Sequence, residues 1–539
     1  MIAPGARRWL GLAVLGLGVA MIVIDITIVN VALPTVISRL DLEVADAQWV
    51  NTIYALSFAS LLITLGRVGD IWGRRRLFLA GIGWFIVASL FAGRADSLAA
   101  LVAARGLQGV GAAMILPATL STVNAGFRGR DRAVAFGIWG SIIGGMAAIG
   151  PLAGGWLTTT FTWRWAFYAN LPVGLLTLVG GFLLVDESRE DRAAGGSRFD
   201  PPGFAAITIG LFGLVLGLIE GVRYGWITLT RELRLGSWLS RPVGSLSPVP
   251  IALMLGVLGI AVFVMVEMRR SKARRPVLFD LSLFRIESFR SGNGIVTIVG
   301  LGEFGLVFVL PLFLQTVLGY SAFETGLLFV AMAGGGFLGG PLAAGLAIRH
   351  GPRQVVTLGM ALEAAGVLGA VLLLAPEMSG AVLAPVLFVY GVGVGLASAQ
   401  LTSVVLAQVP VSQSGQASGM QSTFRQVGAA LGIALLGSVY VSTLGAGAEA
   451  RLAEIPRLTA EQRERIVDAS TSSAGFYVSA LRYWTPDFGP VAAAVGAAIT
   501  DAARRAVTTA LVFLLAGVAL SRRLPDIRAA RGDPVPARE

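Results

Sequence analysis

Asp25, Arg105, Glu303 and Arg425 stand inside long apolar runs, and these charged side chains are where the chain could do chemistry. Asp25 lies in Met21-Ile22-Val23-Ile24-Asp25-Ile26-Thr27-Ile28-Val29-Asn30, within a stretch, residues 9–37, long enough to cross a bilayer as a helix. A carboxylate at that depth costs about 2.5–3.5 kcal/mol on insertion scales, so it requires a partner, a wet cavity or a proton. Two readings stay open: Asp25 binds a proton or cation during transport, or a buried arginine satisfies it and its role is structural. Glu303, in Gly302-Glu303-Phe304, poses the same choice, with Arg425 as its structural partner across the bundle. Arg425 could equally reach the lipid headgroups. Arg105 is permanently charged and favours the ionised form of any acid beside it.

Scarcities remove other chemistries. The chain has no cysteine, which excludes thiolate metal sites, disulfides and Cys nucleophiles. Its one histidine, His350, sits in a polar link beside Arg349 with no triad or metal partners near it. Lys272 is the sole lysine and follows Ser271, so no Gly-Lys-Ser/Thr phosphate loop exists and nucleotide-driven pumping of that kind is excluded. No metal and no cofactor are expected, and the chain is not expected to be an enzyme. Energy must come from a gradient, with carboxylates as the proton carriers.

The elements that must position these residues are membrane spans. Of the 539 residues 55% are hydrophobic and 14% charged, against about 25% charged in soluble domains; the mean hydropathy is +0.77. The net charge of +11 does not signal nucleic acid, because the bases sit in short links between apolar runs, where they set orientation. Spans are expected near residues 9–37, 48–66, 77–93, 98–124, 133–158, 165–185, 203–221, 249–268, 290–318, 325–347, 354–375, 380–409, 416–443 and 501–521. The first is read as a retained helix rather than a cleaved leader, because it is too long and lacks a clean small-residue cleavage site. Arginines such as Arg74–Arg76, Arg128–Arg132, Arg189–Arg198 and Arg269–Arg275 mark the inner links, so both termini are expected in the cytoplasm of a multi-pass cell-membrane protein. Arg223, Arg231, Arg234 and Arg241 form an outer exception. In the outer segment 444–500, Thr459-Ala460-Glu461-Gln462 has capping-box spacing ahead of a short helix through Val467, either a plain helical loop or a lid or partner-docking element.

Between spans 2 and 3 stands Gly66-Arg67-Val68-Gly69-Asp70-Ile71-Trp72-Gly73-Arg74-Arg75-Arg76, in which Asp70 can pair with Arg74 or sit near a helix N-terminus. The stretch resembles the signature turn of the major facilitator superfamily. A decayed copy, Ala347-Ile348-Arg349 before Gly351-Pro352-Arg353, puts Ile348 at the Asp70 position, so any charge lock is asymmetric. Leu101–Gly111, around Arg105 and Gln108, is similar to the superfamily's buried-arginine motif. Gly150-Pro151-Leu152-Ala153-Gly154-Gly155 is similar to its antiporter motif, and Asp25–Pro34 to the first helix of fourteen-span drug/proton antiporters of the EmrB/QacA type.

The resemblance implies an all-α integral membrane protein of two six-helix bundles with two additional central helices. The divisions are residues 1–185, a linker at 186–289, and 290–539 with its long outer loop. It places Asp25, Arg105 and Glu303 on spans 1, 4 and 9, lining a central cavity, and makes Asp25 and Glu303 the proton or cation sites. Asn30, Tyr54, Gln108, Trp139, Phe304, Phe308, Gln315, Tyr390 and Gln400 are candidate cavity walls. Glu363, on an outer helix, is expected to pack against spans 7 or 8. The Gly150–Gly155 stretch and glycine-rich span 10 are candidate hinges, interrupted segments being common in transporters. Gly300-x-Gly302-x-x-Gly305 and Gly334-x-Gly336-x-x-Gly339 fit a dinucleotide fingerprint but lie in spans, where small residues serve helix approach. The implied activity is proton-coupled export of hydrophobic, cationic or amphipathic compounds by alternating access. The alternatives are a dedicated exporter of one natural product or lipid, and a non-transporting sensor or scaffold. The expected partners are the small hydrophobic substrate, protons and membrane lipid, with no nucleic acid and function as a monomer.

Overall fold

The computed structural model describes residues 4–40, 49–189, 200–235, 239–478 and 489–525. Thirteen helices among the described residues are long and apolar enough to cross a membrane. A further helix of 32 residues, Gly129–Thr160, stands where the fifth span was expected. In chain order the helices are α1 (Pro4–Leu40), α2 (Trp49–Trp72), α3 (Arg74–Arg94), α4 (Leu98–Gly126), α5 (Gly129–Thr160), α6 (Asn170–Leu184, after a one-turn lead-in at Trp165–Tyr168) and α7 (Pro201–Tyr224). They continue with α8 (Val249–Lys272), α9 (Glu287–Thr316), α10 (Ala322–His350), α11 (Pro352–Leu373), α12 (Leu383–Val405), α13 (Ser414–Ala453) and α14 (Gly489–Ser521).

Local chemistry sets the ends. Gly73 has φ 121°, a conformation costly for residues with a Cβ, and this one residue separates α2 from α3. Gly351, at φ 88°, ends α10, and Pro352 opens α11 where its missing N–H costs nothing. Asp200 caps α7 ahead of two prolines by accepting from the Gly203 N–H. Ser321 and Glu324 close a capping box on α10.

Helices α1 to α6 pack among themselves, α1 against α5, α6 and α4, and α4 against α2 and α3. Helices α9 to α14 do likewise, α9 on α13 and α14, and α11 between α12 and α14. The two groups meet along α5–α10, α5–α12, α2–α13 and α4–α13. Helices α7 and α8 pair with each other, and α7 rests on α2 and α13. Helix α8 leaves Met254, Leu258, Val262 and Met265 exposed, an apolar face suited to lipid.

Three features differ from the sequence reading. Helices α5 and α10 run unbroken through Pro151 and Pro341, so neither is an interrupted segment. The outer segment 444–500 is shorter as a loop than expected, because α13 continues to Ala453 and α14 begins at Gly489. Ala448 and Leu452 of α13 share a core with Val495, Ala498 and Ile499 of α14, so the pair stays amphipathic beyond the apolar run. The capping box at Thr459 and Gln462 forms, and its helix extends to Ser472. Finally, the link between α7 and α8 holds a small antiparallel pair, β1 (Leu233–Leu235) and β2 (Leu239–Arg241).

Candidate functional site

Asp25 sits halfway along α1 with no exposed surface. Arg105 of α4 donates from Nη1 to its Oδ2 at 2.6 Å; Gln108 Nε2 and Asn170 Nδ2 donate to its Oδ1 at 3.1 and 2.7 Å. The same Arg105 Nη1 reaches Gln108 Oε1 at 2.9 Å, Nε donates to the Val50 carbonyl at 3.2 Å, and the guanidinium lies 4.3 Å over the Tyr54 ring. Ser89 Oγ accepts from both Gln108 and Asn170. Every charge in this cluster is matched, which is what a dry interior demands. Arg105, 1% exposed, and Asp25 form a closed pair in this conformation and do not open on a cavity. A coupling role for Asp25 therefore requires that pair to separate.

In the other bundle, Arg425 of α13 donates from Nη2 to Glu303 Oε2 at 2.8 Å, so it pairs across the bundle instead of reaching for headgroups. Ser398 of α12 donates to Glu303 Oε1 at 3.2 Å and accepts from Arg425 at 3.4 Å. This pair is less sealed: the Arg425 side chain is 22% exposed. Glu363 is fully buried, but its neighbours are α12 at Gly393, not α7 or α8, which make no substantial contact with α11. The outer-helix reading failed because it fixed which helix carried Glu363 without fixing which face of it was turned inward.

At one end of the molecule the signature turn bridges the two bundles. Asp70 Oδ1 accepts from the Gly415 N–H at 2.8 Å and Oδ2 from the Gln416 N–H at 2.9 Å, at the first turn of α13. Arg74 Nη2 donates to Asp70 at 2.8 Å and to the Val411 carbonyl at 2.6 Å. Gly66 lets α2 and α13 touch, because a Cβ there would run into the Gly415 carbonyl. Asn124 Nδ2 donates to Ser414 Oγ at 2.8 Å, and Arg132 donates to the Ser403 carbonyl, so α4 and α5 join the same seal. Arg75 turns away to the Phe182 carbonyl and ring. At the matching turn after α10, Ile348 is exposed and carries no charge, so the lock is asymmetric.

The Gly150–Gly155 stretch lies where α5 crosses α1 just past Asp25. A Cβ at Gly150 would overlap Thr27, and one at Gly154 would press on Ile28. Pro151 belongs to the helix, its side chain being outside the described residues, and Gly155 approaches Phe323 of α10. Of the expected walls, Tyr54, Gln108, Trp139, Tyr390 and Gln400 are buried, while Phe308 and Gln315 are half-buried. Asn30 is exposed and accepts from Asn51 Nδ2 at 2.7 Å. The Phe304 side chain lies outside the described residues, as do Arg192 and Arg198. Sequence reasoning missed Asn170, Ser89, Ser398 and the α13 N-terminus. Only Asn170, a lone amide in an apolar run, carried a signal.

The Major Facilitator Superfamily model matches residues 15–433. The tetracenomycin C resistance and export protein of Streptomyces glaucescens is 32% identical over 98% of this chain and 95% of its own. The puromycin resistance protein of Streptomyces alboniger is 37% identical over 81% of this chain and 82% of its own. The multidrug efflux pump LfrA of Mycolicibacterium smegmatis is 31% identical over 87% and 88%. Among solved structures, the human organic anion transporter MFSD10 is similar in fold, with TM-score 0.60 at 14% identity, covering 96% of this chain and all of that one. A helical frame of membrane-spanning length, buried acid–guanidinium pairs in both bundles and these matches lead to one assignment: the chain belongs to the Major Facilitator Superfamily.

Proposed function

We propose that the protein is a proton-coupled exporter of hydrophobic, cationic or amphipathic compounds, working by alternating access between the two bundles. The observation that carries the reading is the acid–guanidinium pair buried in each bundle, Asp25 with Arg105 and Glu303 with Arg425. Intramembrane acids are expensive and mark ion or substrate pathways, and the chain has no nucleotide loop to supply energy otherwise. The relatives named for drug resistance and efflux support the cargo class. Glu303 is the acid more open to cargo, and Asp25 joins the exchange when its pair separates in the alternate state. Cargo and proton then compete for the same negative charge, and that competition is exchange. The Asp70 seal is closed at what this reading takes as the cytoplasmic end.

Everted vesicles from cells making the protein test this. On energisation they accumulate ethidium, and the accumulation collapses when the pH gradient is dissipated; Asp25→Asn and Glu303→Gln vesicles, with normal membrane insertion, do not accumulate it. Accumulation that survives loss of the gradient refutes proton coupling, and normal pumping by both variants removes it from these acids. A dedicated natural-product exporter is the second reading. It is favoured by the tetracenomycin relative, which matches 98% of the chain where the puromycin relative matches 81%.

A further inference from the structure

Glu363, on α11, is completely buried, and neither carboxyl oxygen has a hydrogen-bond partner among the described residues. The close α11–α12 crossing seals it, since a Cβ on Gly393 would meet the Glu363 backbone N and Cγ. The groups whose charges act on it are Glu303 of α9 and Arg425 of α13; the buried Tyr390 hydroxyl of α12, also without a partner, lies in the field of all three. Helices α10 and α14 bring it no charge. The ionisable residues of α10, Glu324, Arg349 and His350, lie at its ends. In the middle of α14 Asp501 pairs with Arg451, and Arg504 and Arg505 are exposed, Arg504 fixed at the end of α11 on the Leu374 carbonyl, while the α14 side chains in the shared core, Ala506, Ala510 and Leu514 among them, are apolar. One guanidinium thus serves two carboxyls, and it is committed to Glu303 at 2.8 Å. An unpaired carboxylate in a dry interior is prohibitively costly, whereas the neutral acid is tolerated.

We propose that Glu363 carries a proton in this conformation and gives it up when a cationic cargo binds Glu303. The step balances in charge. Before it, Glu303 is paired with Arg425 and Glu363 is neutral. Cargo displaces Arg425 from Glu303; Arg425 turns to Glu363; the Glu363 O–H bond breaks, its electron pair stays on the carboxylate, and the proton leaves to solvent. One cation enters and one proton departs, and the buried region keeps the same net charge throughout. The release half rests on the exporter reading above; the protonation half does not.

Infrared spectra of the purified full-length protein decide the protonation. At neutral pH the wild type shows a protonated-carboxyl C=O absorption that Glu363→Gln lacks, and that the double variant Glu303→Gln/Arg425→Gln, in which no guanidinium is left to turn to Glu363, keeps. Should Glu363→Gln fold poorly, Glu363→Met, apolar and of similar volume, must lack the same band. Identical carboxyl regions in wild type and both variants overturn the proposal. Adding ethidium to weakly buffered protein with a pH dye tests the release: the wild type acidifies the medium, and Glu363→Gln binds ethidium without doing so. Acidification by Glu363→Gln equal to that of the wild type overturns the release step. Failure of wild-type vesicles to transport ethidium would instead refute the exporter reading, with the infrared band still deciding where the proton sits.

Discussion

Asp70→Asn should open the sealed end. Asp70 is fully buried, accepts from Gly415 and Gln416 across the bundle interface, and holds Arg74, itself 1% exposed. Hydrogen bonds to a charged group contribute about 1.5–3 kcal/mol, and a carboxylate at a helix N-terminus up to about 2 kcal/mol. Asparagine keeps one acceptor oxygen but turns an NH2 toward a second backbone donor and leaves the Arg74 charge uncompensated. Only the contacts to α13 depend on closure, so the closed state should lose about 2–3 kcal/mol relative to the open one, a population shift of about 30- to 150-fold. The absence of native cysteine makes the assay direct. Ser418, fully buried on α13 near the seam with a hydroxyl that has no partner among the described residues, is replaced by cysteine and labelled with a maleimide. Labelling of Asp70→Asn/Ser418→Cys should exceed that of Ser418→Cys by at least about tenfold, the factor that 1.4 kcal/mol provides. Equal labelling rates would show that the Asp70 bridge does not hold the end shut.

The crossing of α1 and α5 offers a steric test. Gly150→Ala should lower the melting temperature in detergent, since overpacking costs about 1–3 kcal/mol, and Thr27→Ala should recover part of the loss by removing the hydroxyl that the new methyl meets. No recovery would mean that the glycine serves the helix backbone and not the seam. Arg105→Lys keeps the charge but cannot reach Val50, Asp25 and Gln108 together. A stability loss of about 2 kcal/mol is expected from the abandoned hydrogen bonds, read as a fall in melting temperature, and an unchanged melt would refute the fork as the reason for arginine here.

What could be read from the sequence followed one-dimensional costs. An acid in twenty apolar residues is anomalous wherever it folds, so Asp25, Glu303 and Glu363 were all visible. Their partners were not: Asn170 is 145 positions from Asp25 and Arg425 is 122 from Glu303, and only helix packing sets such pairings. The apolar spans were legible because lipid demands length and hydropathy. The continuation of α13 and α14 past their apolar runs was not, because Glu449, Arg451 and Asp501 interrupt those runs while the buried stripe carries on beneath them. Gly150 to Gly155 announced small residues, which serve equally for a kink or a close crossing, and the backbone chose the crossing.

The two buried acid sites differ in a way that bears on their tasks. Around Asp25 one acid meets one guanidinium, and two side-chain amides satisfy the same carboxylate, so no atom of the pair gains by moving. Such a cluster resists change, and separating it costs about 3–5 kcal/mol if one partner is lost. Around Arg425 two acids share one guanidinium, and among the described residues the Ser398 hydroxyl is the side chain that bonds to the Glu303–Arg425 pair. In the exchange proposed above, Arg425 moves between Glu303 and Glu363, with a proton on whichever acid it leaves unless cargo takes the place. A device that must respond to one proton or one cation needs alternatives of similar free energy. The proposed exchange supplies them in the C-terminal bundle, whereas the Asp25 cluster has one acid and one guanidinium. Coupling should therefore begin at Glu303 and Glu363, with the Asp25 pair acting as a strut until motion of α1 against α5 opens it.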